Sequence, residues 1–218
     1  MTPFIETERL FLHHHIFEDG TVLAHVQKKG TISSSAQALS DLIKRNQSVI
    51  SKVFGWWQDI SSPYSAGFHI KDDLKAWRDK KQLQYYIYDK ESECCIGIFC
   101  AIIDKEKKDA YVLAWLEEKS QNKGYAREVA RAIEHALFST GLVQTISYEC
   151  FDVNRYAHKV GAFLSKEGYQ YMRTNFKSVV WQKKNPFSLK KAGVIGSKKT
   201  GNMMFFSWLK KLFVRENI

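Results

Sequence analysis

The stretch "QNKGYA" (residues 121–126) places a lysine, a glycine and an alanine directly before a helical pattern. The first amides of a helix have no acceptor inside it and lie at the positive end of its dipole, so they attract anions. Gly124 and Ala126 would let phosphate oxygens approach the main chain, and Lys123 adds a positive charge. Asn122 suits a position with positive φ. The stretch is compatible with a phosphate site, and also with an ordinary polar turn that opens a helix.

The elements on either side of this loop decide between the two interpretations. Before it, "AYVLAWL" (110–116) is rich in aromatic and apolar residues, which predicts a strand. After it, Val129, Ile133 and Leu137 recur at helical spacing, with charged residues between them, and Gly141 is well placed to end the helix. The loop is therefore predicted to connect a strand to the start of an amphipathic helix.

The remaining patterns predict one α+β domain over residues 1–184, built around a single mixed sheet with flanking helices. Further strands are predicted at 9–14, 83–89, 94–104, 143–151 and 178–182. Further helices are predicted within 35–57, from 69 to 77 and over 155–168.

The positive charge is concentrated at the end of the chain. Of the formal net charge of +10, residues 186–218 carry +6, so no specific binding of nucleic acid is predicted. Residues 185–201 have the composition of a flexible basic linker, and residues 202–218 that of a basic amphipathic helix rich in Trp and Phe. This C-terminal helix predicts contact with an anionic membrane surface, or docking on its own domain or a protein partner.

Several other classes of protein are disfavoured. The chain shows neither a signal peptide nor an apolar stretch near the roughly 20 residues that span a bilayer, which predicts a cytoplasmic protein, peripheral to a membrane at most. The four cysteines have no CxxC spacing and read as reduced. His13, His14 and His15 lie on a strand, where neighbouring side chains point to opposite faces, so packing is favoured over a metal site.

The loop resembles a known pattern. Gln121, Gly124 and Ala126 fill the fixed positions of Q/R-x-x-G-x-G/A, the acetyl-CoA loop of the GCN5-related N-acetyltransferases (GNAT). The chain is most similar to the RimJ/RimL-type enzymes, which acetylate the N-termini of ribosomal proteins. "ETERLFL" resembles their first strand, and "NQSVISKVFGWWQD", "AYVLAWLEEKSQNKGYA" and "FLSKEGY" resemble later segments. The resemblance covers roughly residues 5 to 183 and excludes the tail.

The resemblance implies acetyl-CoA as co-substrate and no metal. The pantetheine arm would lie where strands 110–116 and 143–151 splay apart, and the main-chain N–H of Leu116 would face the thioester carbonyl. The acceptor amine, at a protein N-terminus or on a small molecule, would attack directly. The implied cofactor contacts are Leu116, Gln121, Asn122, Lys123, Gly124, Tyr125, Ala126, Arg127 and Asn154.

The catalytic side chains match the family less well. Relatives often place a glutamate where this chain has Tyr111, and a serine and a tyrosine where it has Ala157 and Gly161. Tyr156 and His158 remain as candidate proton-transfer residues, or as a helix cap and a solvated helix residue. Trp56, Trp57 and Tyr111 are candidates for acceptor binding. The sequence alone therefore leaves three possibilities open: an active N-acetyltransferase, an impaired acyl-CoA-binding module, or an adaptor recruited through its tail.

Overall fold

The protein is described by a computed structural model. The described residues are 4–14, 35–47, 50, 60, 62–92, 94–151, 157–173 and 178–186. The predicted linker, apart from its first residues, and the predicted C-terminal helix lie outside this part of the chain, so both stay predictions. Within the described residues, no helix is long and apolar enough to cross a membrane.

Eight strands and four helices make up the described part of the chain. The strands are β1 (Phe4–Glu6), β2 (Leu10–His13), β3 (Gln82–Asp89), β4 (Cys95–Asp104), β5 (Asp109–Leu116), β6 (Thr145–Phe151), β7 (Gln170–Arg173) and β8 (Ser178–Lys184). The helices are α1 (Ser35–Arg45), α2 (Pro63–Arg78), α3 (Tyr125–Ser139) and α4 (Ala157–Lys166), with a 3₁₀ turn at Glu118–Ser120.

All eight strands form one sheet in the order β1-β2-β3-β4-β5-β6-β8-β7. Every neighbouring pair is antiparallel except β5 and β6, which run parallel. The connection between these two strands passes through α3, as a parallel connection requires a crossover. The prediction of a mixed α+β sheet with flanking helices is confirmed.

Helices cover both faces of the sheet. Residues of α3 and α4, including Val129, Ile133 and Leu164, pack in one apolar cluster with one set of strand side chains. Residues of α1 and α2, including Leu39 and Ile70, pack in a second cluster on the opposite face. These faces are called the α3 face and the α2 face below.

Two edge elements escaped the sequence prediction. β1 has three residues and β7 has four, which is too short for a two-residue alternation to stand out. Helix α2 also begins at Pro63, six residues before the predicted start. Ser62 caps it, accepting from the Ser65 main chain while the Ser65 hydroxyl accepts from the Ser62 N–H.

The histidines of β2 pack against aromatic rings, as the alternation of strand side chains suggested. His13 stacks on Tyr88 with ring centroids 4.4 Å apart, and His14 stacks on Trp77 at 4.3 Å. Burial lowers the pKa of His13 to about 4. His15 lies outside the described residues. Among the residues that are described, no group of three or more His, Cys, Asp or Glu side chains is arranged to hold a metal ion.

Candidate active site

A gap opens between the two parallel strands at the centre of the sheet. β5 and β6 pair from Asp109 and Thr145 only as far as Val112 and Tyr148. Beyond that point β5 continues on β4 to Leu116, while β6 continues on β8 to Phe151. The two strands therefore diverge, and the predicted splay between them is confirmed.

The main chain of Leu116 faces this gap. Leu116 is paired with Gly97, and the neighbouring Glu117 N–H donates to Ile96 O at 2.8 Å. In an antiparallel ladder this bond marks a non-hydrogen-bonded pair, so the N–H and C=O of Leu116 point away from β4 and towards β6. Since β6 has already diverged at that level, the Leu116 N–H is directed into the gap.

Gly97 permits the close approach of β4 to the end of β5. A Cβ atom at position 97 would lie 2.4 Å from Trp115 O and 2.7 Å from Leu116 Cδ2. Any side chain there would displace the main chain that carries the Leu116 N–H. Gly97 therefore helps to fix the position of this donor.

The loop after β5 is fixed to the strand by the side chain of Gln121. Its Nε2 donates to Leu116 O at 2.9 Å, so the side chain is used to hold the loop in place. Asn122 has φ of 61° and Gly124 has φ of 84°, two left-handed residues that turn the chain into α3. The Gln121 side chain thus joins the gap to the loop.

The start of α3 presents main-chain donors. Gly124 occupies the N-cap and has no side chain with which to cap the helix. The first helical bonds run from the Arg127 and Glu128 N–H groups to Gly124 O, at 3.1 and 3.2 Å. The N–H groups of Tyr125 and Ala126 precede these bonds and have no acceptor within the helix. They form, with the dipole of the 15-residue α3, a site suited to an anion.

The side chains of Tyr125 and Arg127 turn to other partners. The Tyr125 hydroxyl donates to Asp89 Oδ2 at 2.6 Å, and this bond to a carboxylate raises the pKa of Tyr125. Arg127 Nε lies 2.8 Å from Glu167 Oε1, next to the end of α4. Both residues would therefore serve a cofactor through the main chain.

The α2 face of β5 is partly open. Tyr111, Leu113 and Trp115 share this face, and each is only partly buried. The pKa of Tyr111 is raised, chiefly by burial and then by the nearby Asp109. These side chains offer an aromatic and apolar surface beside the gap.

The sequence analysis missed a carboxylate on the same face. Tyr111 is paired with Ser147 of β6, and Glu149 follows two residues later, so Glu149 shares the face of Tyr111. Glu149 is partly buried, and its negative charge is a lesser cause of the raised pKa of Tyr111. The alternation of strand side chains would have given its face only once the register of β6 against β5 was known.

Of the candidate proton-transfer residues, the described part of the chain contains His158. It is exposed and lines a groove of α4, β7 and β8 together with Tyr171 and Trp181. Gly161, where relatives have a tyrosine, lies against this tryptophan, and a Cβ there would be 2.9 Å from Trp181 Cζ2. The absence of the tyrosine thus has a packing reason. The predicted Trp56, Trp57, Asn154 and Tyr156 lie outside the described residues.

Glu117, at the end of β5, is engaged with α1. Its Oε2 lies 3.3 Å from Arg45 Nη2, and its Oε1 accepts from the Ser120 hydroxyl at 3.2 Å. Arg45 also donates to Cys95 O at 3.0 Å. These contacts connect α1 to the strand end, and they favour a structural role for Glu117.

Solved structures with the same fold are numerous but distant in sequence. A RimL ribosomal L7/L12 α-N-protein acetyltransferase in complex with coenzyme A has a TM-score of 0.66 at 16% identity, covering 83% of this chain and 97% of its own. The microcin C7 self-immunity acetyltransferase MccE, in complex with acetyl-CoA and AMP, has a TM-score of 0.65 at 17% identity, covering 82% and 93%. An acetyltransferase from Salmonella typhimurium that modifies the N-terminal serine of L7/L12 has 0.61 at 16%, covering 83% and 98%.

These likenesses show the fold, and the family follows from the sequence itself. No curated protein matches the sequence significantly. The family model "Acetyltransferase (GNAT) family" matches residues 52–161, just over half of the chain, including the gap strands, the loop and α3. The chain therefore belongs to the GNAT family of N-acetyltransferases, whose co-substrate is acetyl-CoA.

Proposed function

We propose that this enzyme transfers the acetyl group of acetyl-CoA to the N-terminal amine of a protein by direct attack. The observation that carries the proposal is the combination of a strand gap, a main-chain donor directed into it, and uncapped amides at the start of α3. Together these features suit a thioester whose carbonyl lies in the gap and whose pyrophosphate lies at the helix.

The phosphates would be held by main-chain groups from Asn122 to Ala126. Lys123 would add a cation at the mouth of the site, where salt weakens its contribution. Gly124 allows the main chain to come close to the phosphate oxygens. Binding through amides suits this site because the charge of the pyrophosphate is complemented without a dedicated side chain.

Attack on the thioester would place negative charge on its carbonyl oxygen. The Leu116 N–H would donate to that oxygen while the C–N bond forms and the C–S bond then breaks. The thiolate must gain a proton, and the ammonium form of the acceptor must first lose one. Because α3 covers one face of the sheet, the acceptor would approach from the α2 face, beside Tyr111 and Trp115.

Glu149 is the described carboxylate best placed to remove the proton from the amine. It shares the face of Tyr111 and lies on the strand that forms the far side of the gap. Glu117 is less suited, because Arg45 and Ser120 already contact its carboxylate. We assign Glu149 the role of general base, acting directly or through one water molecule.

A protein N-terminus is preferred over a small amine because of the open α2 face. A flat, partly exposed surface of aromatic and apolar side chains suits an extended peptide better than a small polar molecule. The similarity in fold to enzymes that acetylate L7/L12 points in the same direction.

The decisive experiment measures acetyl-CoA turnover against a library of peptides with free N-termini, with N-terminally blocked peptides and small amines as parallel series. We expect turnover with a subset of the free peptides only. Turnover with small amines alone would replace the protein acceptor. Tight CoA binding without transfer to any amine would leave an acyl-CoA-binding module in place of the enzyme.

A further inference from the structure

The turn between β1 and β2 packs on the cofactor loop, although 114 residues separate Arg9 from Lys123 along the chain. Arg9 Nη1 donates to Lys123 O at 2.8 Å. Its Nε and Nη2 meet Glu128 Oε2 of α3 at 2.8 and 2.7 Å. One guanidinium thus joins the loop to the first turn of the helix.

The main chain and the neighbouring side chains reinforce this arrangement. The Arg9 N–H donates to Glu128 Oε1 at 2.8 Å, and the Thr7 hydroxyl donates to the same oxygen at 2.5 Å. The guanidinium carbon lies 4.6 Å from the centroid of the Tyr125 ring, a cation–π contact. We call Thr7, Arg9, Tyr125 and Glu128 the Arg9 clamp.

The clamp acts on the peptide units that would bind phosphate. In a trans peptide the C=O and the N–H point in opposite directions. Because Arg9 holds the carbonyl of Lys123, the N–H of Gly124 is directed away from the guanidinium. Arg9 Nη2 also lies 3.3 Å from the position that a Cβ of residue 124 would occupy, so it packs beside the left-handed glycine.

Stability alone gives a weak reason for this arrangement. The Arg9 side chain is 43% exposed, and exposed ion pairs contribute little to the free energy of unfolding. The planar fork of an arginine, however, fixes the direction of several acceptors at once. The geometry is therefore suited to presetting a loop conformation.

We propose that Arg9 is a positioning residue for the phosphate cradle: it holds Lys123 O, the Tyr125 ring and Glu128 so that the amides from Gly124 to Ala126 converge before the cofactor binds. This inference rests on the proposed function, since it assumes that the loop receives the phosphates of acetyl-CoA. It assigns to the β1–β2 turn a part in cofactor affinity that is additional to the loop itself.

The test compares Arg9→Met with Arg131→Met. Arg131 is the matched control because it makes a comparable two-bond ion pair, with Glu167, on the same helix but does not contact the loop. By titration calorimetry we expect CoA affinity to fall about tenfold in Arg9→Met and to stay unchanged in Arg131→Met. A tenfold loss corresponds to about 1.4 kcal/mol.

Two acyl donors separate positioning from a general loss of structure. With acetyl-CoA, Arg9→Met should raise KM about tenfold and leave kcat nearly unchanged. With acetylpantetheine, which lacks the phosphates, kcat/KM should match that of the wild type. An equal loss with both donors would overturn the inference, because the phosphates would then not be involved.

The conservative variant Arg9→Lys keeps the charge but loses the fork. Affinity close to that of Arg9→Met would support positioning, whereas wild-type affinity would show that charge alone matters and would overturn it. Arg9→Lys also serves if Arg9→Met fails to fold. If the wild-type protein itself binds no CoA, the proposed function fails. If it binds CoA and both Arg9 variants bind equally well, only this inference fails.

Discussion

The two faces of strand β5 are built differently. Towards α3, the side chains of Ala110, Val112 and Leu116 are at most 9% exposed. Towards α2, Tyr111, Leu113 and Trp115 remain partly exposed beside the gap. The first face supports a cofactor site made of main-chain amides, whereas the second supports an acceptor site made of side chains.

This difference explains why the two halves of the site are specified so unequally. A main-chain site needs only a strand, a loop with little side-chain bulk and the start of a helix. A side-chain site depends on which residues the register of β5, β6 and β8 brings together. The same strand can therefore keep its cofactor while its acceptor side varies.

The strongest test of the main-chain half is Gly124→Asp. The new carboxylate would stand beside the amides that receive the pyrophosphate, so we expect CoA affinity to fall at least about a hundredfold, roughly 2.7 kcal/mol. Gly141→Asp is the control: Gly141 ends the same helix with φ of 67°, and no atom would lie within 4 Å of its Cβ. Calorimetry on both folded variants decides. Wild-type CoA affinity in Gly124→Asp would contradict the cradle.

The side-chain half is tested by Glu149→Gln. Loss of a general base should lower kcat about a hundredfold while the affinity for CoA stays unchanged. The loss should shrink at high pH, where the acceptor amine is already neutral. Glu118→Gln, an exposed carboxylate near the same strand end, is the control. Unchanged kcat in Glu149→Gln at neutral pH would show that the proton leaves by another route.

A smaller effect concerns the packing of the α2 face. Burial raises the pKa of Asp73 to about 8, although Gln82, Gln84 and Tyr86 donate hydrogen bonds to it. The folded state thus keeps a proton that the unfolded chain releases near pH 4, so stability falls as pH rises towards 8. Asp73→Asn should reduce this decline between pH 6.5 and 8.5 by about 1 kcal/mol.

Urea denaturation across that pH range measures the effect. The range lies above the titration of His69, a neighbour of Asp73 whose pKa burial lowers to about 4. Asp104→Asn is the control, because hydrogen bonds from the Lys107 main chain and side chain hold the pKa of Asp104 below its usual value. A decline in Asp73→Asn as steep as in the wild type would show that Asp73 is ionised within the fold.

Most of the sheet could be predicted from the sequence because its inner strands are long and strongly apolar. The loop was also accessible, since Gly124 and the helical spacing of Val129, Ile133 and Leu137 are local signals. β1 and β7 were missed because three or four residues carry too little pattern.

The contacts that depend on distant segments could not be predicted. Arg9 and Glu128 meet across 119 residues, and no local spacing connects them. The placement of Glu149 beside Tyr111 follows from the parallel register of two strands separated by a helix. The roles of Trp56, Trp57, Asn154 and Tyr156 stay predictions.

The contact between Gly161 and Trp181 limits how this site can evolve. With 2.9 Å between a would-be Cβ and the indole, any larger residue at 161 meets a ring that fills its space. A hydroxyl-bearing side chain could arise there only after position 181 had changed to a smaller residue. The two positions therefore form an epistatic pair, and an evolutionary route to the tyrosine found in relatives must pass through β8 first.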